Sequence, residues 1–129
     1  MSLSDMTHNH GTNTLYDAVF GVHSQSTKTF LYTEQGEVSY AAFTGMTNKL
    51  AHALSHAGLQ AGERVAVQAK KSVMQLALYA ATIKAGGVYL PLNTSYTAHE
   101  LDYFISNAKA SIVIVDDAAK DAVTPIADA

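Results

Sequence analysis

Lys70, Lys71 and Ser72 could together bind an anion, and the two lysines are the chain's only adjacent pair of basic residues. They stand between a predicted strand, "ERVAVQ", and a predicted helix, "VMQLALYAATIKA". Ligands of open α/β sheets bind beyond the carboxyl ends of strands, and the unpaired N–H groups of helix N-termini favour anions. A phosphate contact is therefore one interpretation. Because no glycine-rich loop accompanies the lysines, an ordinary solvated turn is the favoured one.

Two of the six histidines, His52 and His56, are four residues apart on a predicted helix, a spacing that can hold zinc. They lie off the apolar face of that helix, so we expect both to face solvent. The sequence around them lacks a third ligand and the glutamate of a His-Glu-x-x-His motif. His8 and His10 lie in the polar leader, and His99 lies inside a predicted capping turn. The histidines therefore predict no metal site.

Asp116 and Asp117 follow the apolar run "IVIV". The pair resembles the acidic pair that ends the first strand of response-regulator receiver domains, where it holds magnesium. A receiver domain needs about a hundred further residues after this point, whereas here the pair lies near the C-terminus. The alternative is that the two aspartates cap a following helix. Since no Ser-His-Asp set, glutamate pair or GxGxxG can be assembled either, we predict no catalytic, cofactor-binding or metal-binding residue.

The composition limits the classes of function. A length of 129 residues predicts one domain or a piece of a larger one. With 48% hydrophobic and 15% charged residues, part of the surface is expected to face other protein. A net charge of −3 with scattered basic residues argues against nucleic acid and anionic membranes as partners. The absence of cysteine excludes disulfides and is compatible with a cytoplasmic location, and the sequence has neither a signal core nor a membrane-length apolar run.

The first part of the chain predicts a short helix, a β-hairpin and a long helix. Leu15, Val19 and Val22 recur at helical spacing with Phe20 beside them. "KTFLYTEQGEVSY" predicts the hairpin, with a glycine in its turn. A serine caps the long helix and a glycine ends it. The residues of this segment are Ser39 at the cap, Tyr40, Phe43, Thr47, Leu50, Ala51 and Leu54 on the apolar face, and Gly58 at the end.

The rest of the chain predicts strand, helix, strand, helix, strand, which is a doubly wound α/β arrangement with right-handed crossovers. Ser72 caps a helix that is apolar nearly all round, so we expect it to be covered on more than one side. Gly86 and Gly87 end that helix, and "VYLPL" is the next strand, with Pro91 at its end, where a missing donor costs little. "TAHE" is a capping box, "SIVIVDD" is a strand typical of parallel sheets, and "AAKDAVTPIADA" begins another helix.

Two stretches of the sequence, taken together and in this order, resemble conserved motifs of a known family. "VSYAAF" (Val38 to Phe43) resembles the first conserved motif of the acyl-adenylate-forming superfamily, and "IKAGGVYLPLN" (Ile83 to Asn93) resembles its second. The superfamily comprises acyl-CoA synthetases, adenylation domains of peptide synthetases and luciferases. The resemblance runs from about Leu15 to Asp117. Within the superfamily, "LYAATIKAGGVYLPLNTSYTAHELDYFI" looks most like malonyl-CoA synthetases and related short-acid ligases.

This resemblance implies an ATP-dependent acid–CoA ligase. Such an enzyme forms an acyl-adenylate from ATP and a small carboxylic acid, releases pyrophosphate and transfers the acyl group to coenzyme A. ATP, Mg²⁺ and coenzyme A are expected in the full-length enzyme, and none is expected bound to this fragment. The sequence ends before the family's phosphate-binding loop and lacks its later motifs. No catalytic residue is therefore carried over, and we expect the 129 residues alone to be inactive.

The predicted fold is a partial doubly wound βαβαβ sheet with an N-terminal β-hairpin, the N-terminal subdomain of an adenylate-forming enzyme. Residues 1–13 are predicted to be a disordered leader or a cloning remnant, and residues 14–129 the N-terminal part of the large adenylation domain. Two alternatives stay open: an adenylation domain that loads a carrier protein, and a free-standing small α/β module that binds a nucleotide or a protein. A truncated sheet would expose apolar surface, so self-association is expected.

Overall fold

The computed structural model describes residues 14–116. Four α-helices, five strands and one short 3₁₀ turn are found within them. In chain order they are α1 (Thr14–Val19), the 3₁₀ turn (Gly21–His23), β1 (Thr29–Thr33), β2 (Gly36–Ser39), α2 (Tyr40–His56), β3 (Arg64–Gln68), α3 (Val73–Lys84), β4 (Val88–Pro91), α4 (Ala98–Ala108) and β5 (Ile112–Val115). The predicted leader and the predicted helix in the tail lie outside the described residues.

The first helix forms, but it ends before Val22, and of the four residues that indicated it only Phe20 is buried. Leu15, Val19 and Val22 are 57%, 49% and 70% exposed. Tyr16 and Phe20, one turn apart, are buried instead. The ring of Phe20 lies 5.7 Å from that of Phe43 in α2, so aromatic packing fixes the buried face of α1.

The hairpin and the long helix are confirmed. β1 pairs with β2 in antiparallel register, and Gly36, the first residue of β2, has a φ of 128° that favours glycine. The side chain of Ser39 accepts a hydrogen bond from the backbone N–H of Ala42 and so caps α2. Gly58 follows the helix with a φ of 99°. The buried residues of α2 are Phe43, Thr44, Thr47, Ala51 and Leu54.

The predicted α/β sheet is confirmed, with β3 in the centre and the order β4-β3-β5. Both pairings are parallel. Val65 and Val67 pack with residues of α2 and α3 on one face, and Ala66 packs with residues of α4 on the other. The sheet therefore carries helices on both faces, as a doubly wound arrangement requires.

Helix α3 is covered on two sides, as its apolar sequence predicted. Leu78 and Ala81 belong to the core between the sheet and α2. Ala77 and Ala80 belong to a second core with the aromatic residues of α1 and α2. The N-terminus is capped by Ser72, whose hydroxyl accepts from Gln75 N–H at 3.1 Å. No helix within residues 14–116 is both long and apolar enough to cross a membrane.

The strand that contains a proline ends at that proline, as predicted. The N–H of Val88 donates to the carbonyl of Glu63, just before β3, and the N–H of Leu92 donates to the carbonyl of Val67 in β3, both at 2.8 Å. Alternate residues of a parallel strand bond to opposite sides, so the position of Pro91 faces away from β3. The missing donor of Pro91 therefore lies at the open edge of the sheet, where no ladder bond is lost.

Candidate functional site at the carboxyl edge of the sheet

Three loops meet where the parallel strands end. They follow β3 (residues 69–72), β4 (residues 92–97) and β5 (from residue 116). The chain passes from β3 to β4 on one side and then crosses to β5 on the other, so the direction of winding reverses between β3 and β5. In open α/β sheets ligands bind in the crevice at such a switch point. The carboxyl edge is therefore the candidate site.

A hollow of about 480 Å³ opens to solvent between the loops after β3 and β4, on the other side of β3 from the switch point. It is lined by residues 69–71, residues 91–94 and Gln75 from the first turn of α3. The sequence analysis singled out Lys70, Lys71 and Ser72, and the structure places both lysines on this hollow. Ser72 caps α3 and lines two adjoining hollows instead.

The lysine side chains are exposed, and neither makes a hydrogen bond or ion pair with another described residue. Asp116 holds their loop through the backbone, because its Oδ2 accepts from Lys70 N–H at 3.0 Å. The N–H of Asp116 in turn donates to the carbonyl of Gln68 at 3.2 Å. Asp116 thus ties the loop after β3 to the end of β5, a contact that the sequence analysis did not predict. Asp117 lies outside the described residues.

Gln68, the last residue of β3, is 5% exposed. Its Nε2 donates to the carbonyl of Asn93 at 2.9 Å. Its Oε1 is buried and has no donor among the described residues. An unpartnered buried acceptor costs about 1–3 kcal/mol. Sequence reasoning missed Gln68 and Asn93 as candidate residues, although a glutamine at the end of the apolar run "VAVQ" was a usable signal.

The loop after β4 is fixed by Asn93. The side-chain Oδ1 of Asn93 accepts from the backbone N–H of Ser95 at 2.9 Å and from its hydroxyl at 2.8 Å. Two residues later Thr97 and Glu100 form the predicted capping box of α4. These local bonds define the position of the Asn93 carbonyl that Gln68 contacts.

A second hollow of about 320 Å³ adjoins the first and shares Lys71 and Gln75 with it. Its wall includes Tyr79 and Tyr89, whose rings meet edge to face at 5.2 Å. Burial raises the pKa of the Tyr89 hydroxyl, and a hydrogen bond with Gln75 opposes that shift. The phenol therefore stays neutral at physiological pH and offers a polar group at the end of an aromatic wall.

The histidines are not part of this edge. His52 and His56 are exposed on α2, as predicted, and His99 lies in the first turn of α4. Within residues 14–116 no three side chains of the metal-ligating types come close enough to hold an ion. His8 and His10 lie outside the described residues.

The described side chains at this edge can bind and orient a polar or anionic group. Lys70 and Lys71 supply positive charge, while Gln75 and Thr94 supply polar groups. Asp116 uses Oδ2 to accept from a backbone N–H and so holds the loop that carries the lysines. The edge, as far as residues 14–116 form it, is suited to binding and lacks a nucleophile–base pair.

Comparison with known proteins identifies the family. The family model described as AMP-binding enzyme matches residues 21–129. Phenylacetyl-CoA ligase epaB of Aspergillus niger is 34% identical over 91 residues, which are 70% of this chain and 17% of that protein. Malpinin synthetase of Mortierella alpina is 36% identical over 90 residues, which are 70% of this chain and 1% of that protein.

Solved structures agree with this match. The crystal structure of apo MatB from Rhodopseudomonas palustris has a TM-score of 0.85 and 44% identity, over 91% of this chain and 24% of that chain. The structure of VinN with L-aspartate, at 22% identity and a TM-score of 0.81, supports the fold alone. The chain thus spans about a quarter of the MatB chain. Since the family model covers all but its first 20 residues, this protein belongs to the AMP-binding enzyme family.

Proposed function

We propose that the chain is the N-terminal part of an ATP-dependent acyl-CoA ligase that works through an acyl-adenylate. The observation that carries the proposal is the 44% identity to MatB over 91% of the chain. Because the match covers 24% of MatB, the activity belongs to a longer polypeptide in which residues 14–129 are the first part of the adenylation domain.

Malonate is the proposed acid. The support is similarity to MatB, a malonyl-CoA synthetase, and the malonyl-CoA synthetase-like segment from Leu78 to Ile105. The choice of acid rests on this overall similarity and not on a residue of an acyl pocket. A cytoplasmic location is part of the same proposal.

In this enzyme the described region acts as scaffold and binding surface. ATP with Mg²⁺ supplies the activated phosphate, and coenzyme A supplies the acceptor thiol. Lys70 and Lys71 offer two charges for a phosphate at the carboxyl edge, which fits a contact to one phosphate group and falls short of a complete triphosphate site. The remaining phosphate ligands must come from the rest of the polypeptide.

The test uses the polypeptide translated from the complete reading frame. It is incubated with ATP, Mg²⁺ and coenzyme A, and with malonate, methylmalonate, succinate or acetate in parallel. We expect AMP and malonyl-CoA, measured by chromatography and mass spectrometry, with malonate the best substrate. Absence of acid-dependent pyrophosphate exchange with every acid would refute the proposal. Residues 1–129 alone are the control, for which we expect no exchange.

A second candidate is an adenylation domain that loads a carrier protein. It is favoured by matches to synthetases such as Malpinin synthetase, of which this chain covers 1%. The two candidates differ in the acceptor of the acyl group. Offering coenzyme A and a phosphopantetheinylated carrier protein in the same reaction separates them, because the acyl group will appear on one and not on the other.

The free-standing module remains the third alternative, and the self-association of the 129-residue chain tests it. Leu15, Val19 and Val22 on the N-terminal side and Tyr79 on α3 are exposed apolar residues. In a longer enzyme they are proposed to be covered by other protein, so the isolated chain is expected to associate. Light scattering that gives a monomer mass across concentrations would favour a self-contained module.

A further inference from the structure

A separate hollow, the α2–α3 hollow, lies between α2 and the last turn of α3. It measures about 440 Å³ and opens to solvent. Because α3 ends where the chain turns into β4, the hollow lies at the opposite end of α3 from Lys70 and Lys71. Its lining residues, none of which lines the hollows at the carboxyl edge, are Asn48, Ala51, His52, Ser55, Lys84 and Ala85.

The polar residues of the α2–α3 hollow form one stripe along α2. Asn48, His52 and Ser55 are separated by four and three residues, so they follow each other on the same face of the helix. Ala51, which is 8% exposed, and Ala85 line the rest. Since an alanine side chain ends at Cβ, the two helices leave open a space that larger side chains would fill. The hollow therefore has polar walls and a small apolar base.

Lys84 is held in place at this hollow, unlike the two lysines of the carboxyl edge. Its Nζ donates to Oδ1 of Asn48 and lies 5.0 Å from the ring centre of Tyr16. An ammonium group has three N–H donors, and the hydrogen bond to Asn48 uses one of them. A side chain that is already fixed loses less conformational entropy when a ligand binds. Lys84 is thus a prepared positive charge at the wall of the hollow.

Every polar side chain of the α2–α3 hollow can donate a hydrogen bond to a ligand. Asn48 turns its Oδ1 to Lys84, which leaves the N–H groups of Nδ2. Within residues 14–116 these N–H groups and the side chains of His52 and Ser55 have no hydrogen-bond partner, and no Asp or Glu is among the lining residues. The carbonyls of Ser55 and Ile83, at the ends of the two helices, each accept at 3.0 Å from a following glycine N–H, so they are less available to repel an anion.

We propose that the α2–α3 hollow binds the phosphate group of a small organic molecule. A fixed positive charge and three further donor side chains suit the several acceptor oxygens of a phosphate better than the two of a carboxylate. The volume of about 440 Å³ falls within the range of about 300–1,000 Å³ of small-molecule sites, which leaves room for the organic part. The proposal does not rest on the ligase assignment, because no lining residue belongs to the carboxyl edge.

Binding of inorganic phosphate to the complete polypeptide tests the proposal. Equilibrium dialysis with radiolabelled phosphate is run at constant ionic strength, adjusted with chloride, so that screening of the charges does not change. We expect Lys84→Met to weaken one phosphate site per chain about tenfold or more, because a charged hydrogen-bond donor is lost. Lys49→Met removes a neighbouring charge outside the hollow and should change the affinity less than about twofold. Equal weakening by both variants, or by neither, would overturn the proposal.

A second pair of variants separates loss of the site from loss of folding. Ser55→Leu removes a donor and narrows the hollow at an exposed position, while the contact between Lys84 and Asn48 stays in place. His56→Leu makes a similar change at an exposed position outside the hollow. Ser55→Leu should weaken phosphate binding about fivefold or more relative to His56→Leu, with melting temperatures that match. Equal phosphate affinities of the two variants would contradict the proposal.

Acetate serves to test the class of ligand. At equal ionic strength, phosphate should raise the melting temperature of the unsubstituted polypeptide more than acetate does, because a ligand of the folded state stabilises it in proportion to its affinity. An equal or larger shift with acetate would assign the hollow to a carboxylate and would overturn the proposal. A phosphate shift that persists in Lys84→Met and Ser55→Leu would identify a general effect of the salt and would overturn it as well.

Discussion

The amino and carboxyl edges of the parallel sheet differ in how their polar groups are partnered. At the amino edge Glu63 accepts from Gln60 N–H at 2.6 Å and from the Ser111 hydroxyl at 2.7 Å. Arg64 beside it donates from Nη1 to the carbonyl of Ala108 at 2.7 Å. At the carboxyl edge the Oε1 of Gln68 has no donor within residues 14–116, and the side chains of Lys70 and Lys71 are exposed to solvent.

This difference indicates a division of roles. The amino edge uses its charged groups to join the start of β3 to the loop before it and to the segment between α4 and β5, which is a structural task. The hydrogen bonds from Ser111 and Gln60 lower the pKa of Glu63, so its carboxylate is ionised over most of the pH range in which the protein is handled. The carboxyl edge leaves polar groups free, as a binding site in an open α/β sheet does.

The largest loss of stability is expected from a larger side chain at Gly87, at the amino edge of the sheet. A Cβ at Gly87 would lie 3.0 Å from Leu59 Cδ2 and 3.3 Å from the backbone carbonyl of Glu63. Gly87→Val should therefore lower the free energy of unfolding by about 1–3 kcal/mol, measured by urea denaturation. Gly45→Val is the control, because nothing lies within 4 Å of that position on the exposed side of α2. If both variants changed the free energy of unfolding equally, close packing around Gly87 would not be the cause of the loss.

The next effect should differ in size at the two edges. Thr82→Val, near the amino edge, removes a buried hydroxyl that donates to the carbonyl of Leu78 at 2.8 Å, and it should lower the free energy of unfolding by about 1 kcal/mol. Gln68→Leu removes two groups with opposing effects: the buried Oε1, which has no donor among the described residues, and the Nε2 donor to the Asn93 carbonyl. We therefore expect Gln68→Leu to change the free energy of unfolding by less than Thr82→Val does, measured by urea denaturation. A larger loss for Gln68→Leu would mean that Oε1 does not weaken the fold.

A smaller, pH-dependent effect is expected at Glu63. Because its pKa is lower in the folded protein, ionised Glu63 stabilises the fold above the pKa of the unfolded chain, and that contribution is lost as the pH falls through the folded value. Glu63→Gln should therefore reduce stability near neutral pH and lose this effect in acid. Urea midpoints between neutral and acidic pH measure it. Glu34→Gln, in the exposed hairpin turn, controls for the removal of one charge.

The smallest change in stability is expected from replacing Lys70 or Lys71. Lys70→Ala and Lys71→Ala should each change the free energy of unfolding by less than about 0.5 kcal/mol, because neither side chain makes a hydrogen bond or ion pair with another described residue. Lys84→Ala is the control, since Lys84 contacts Asn48 and its Nζ lies 5.0 Å from the ring centre of Tyr16. If thermal unfolding shows a larger loss for Lys70 or Lys71 than for Lys84, the carboxyl edge is structural as well.

Local signals predicted most of the fold. Ser39, Ser72 and Thr97 each accept a bond from an N–H three residues later, so a few neighbouring residues decide where the helices begin. The solvent exposure of His52 and His56 was also predicted correctly from helical spacing alone. The buried side of α1 did not, because a six-residue helix offers several apolar faces and the aromatic core of α2 selects one of them.

The candidate site could be predicted only in part. The lysines were visible in the sequence because their position after a strand is a local feature. The contact between Asp116 and Lys70 joins residues 46 positions apart, and that between Gln68 and Asn93 joins residues 25 apart. Such contacts depend on the order of the strands in the sheet, which hydrophobic patterns do not specify.

The sequence by itself determined the helices and strands, their caps, the end of β4 at Pro91 and the resemblance to an adenylate-forming family. These properties depend on residues that are close in the sequence and on motifs made of consecutive residues. Tertiary structure decided which strand lies in the centre and which polar groups of residues 14–116 lack a partner there. The physical reason is that each of these depends on backbone groups brought together from distant parts of the chain.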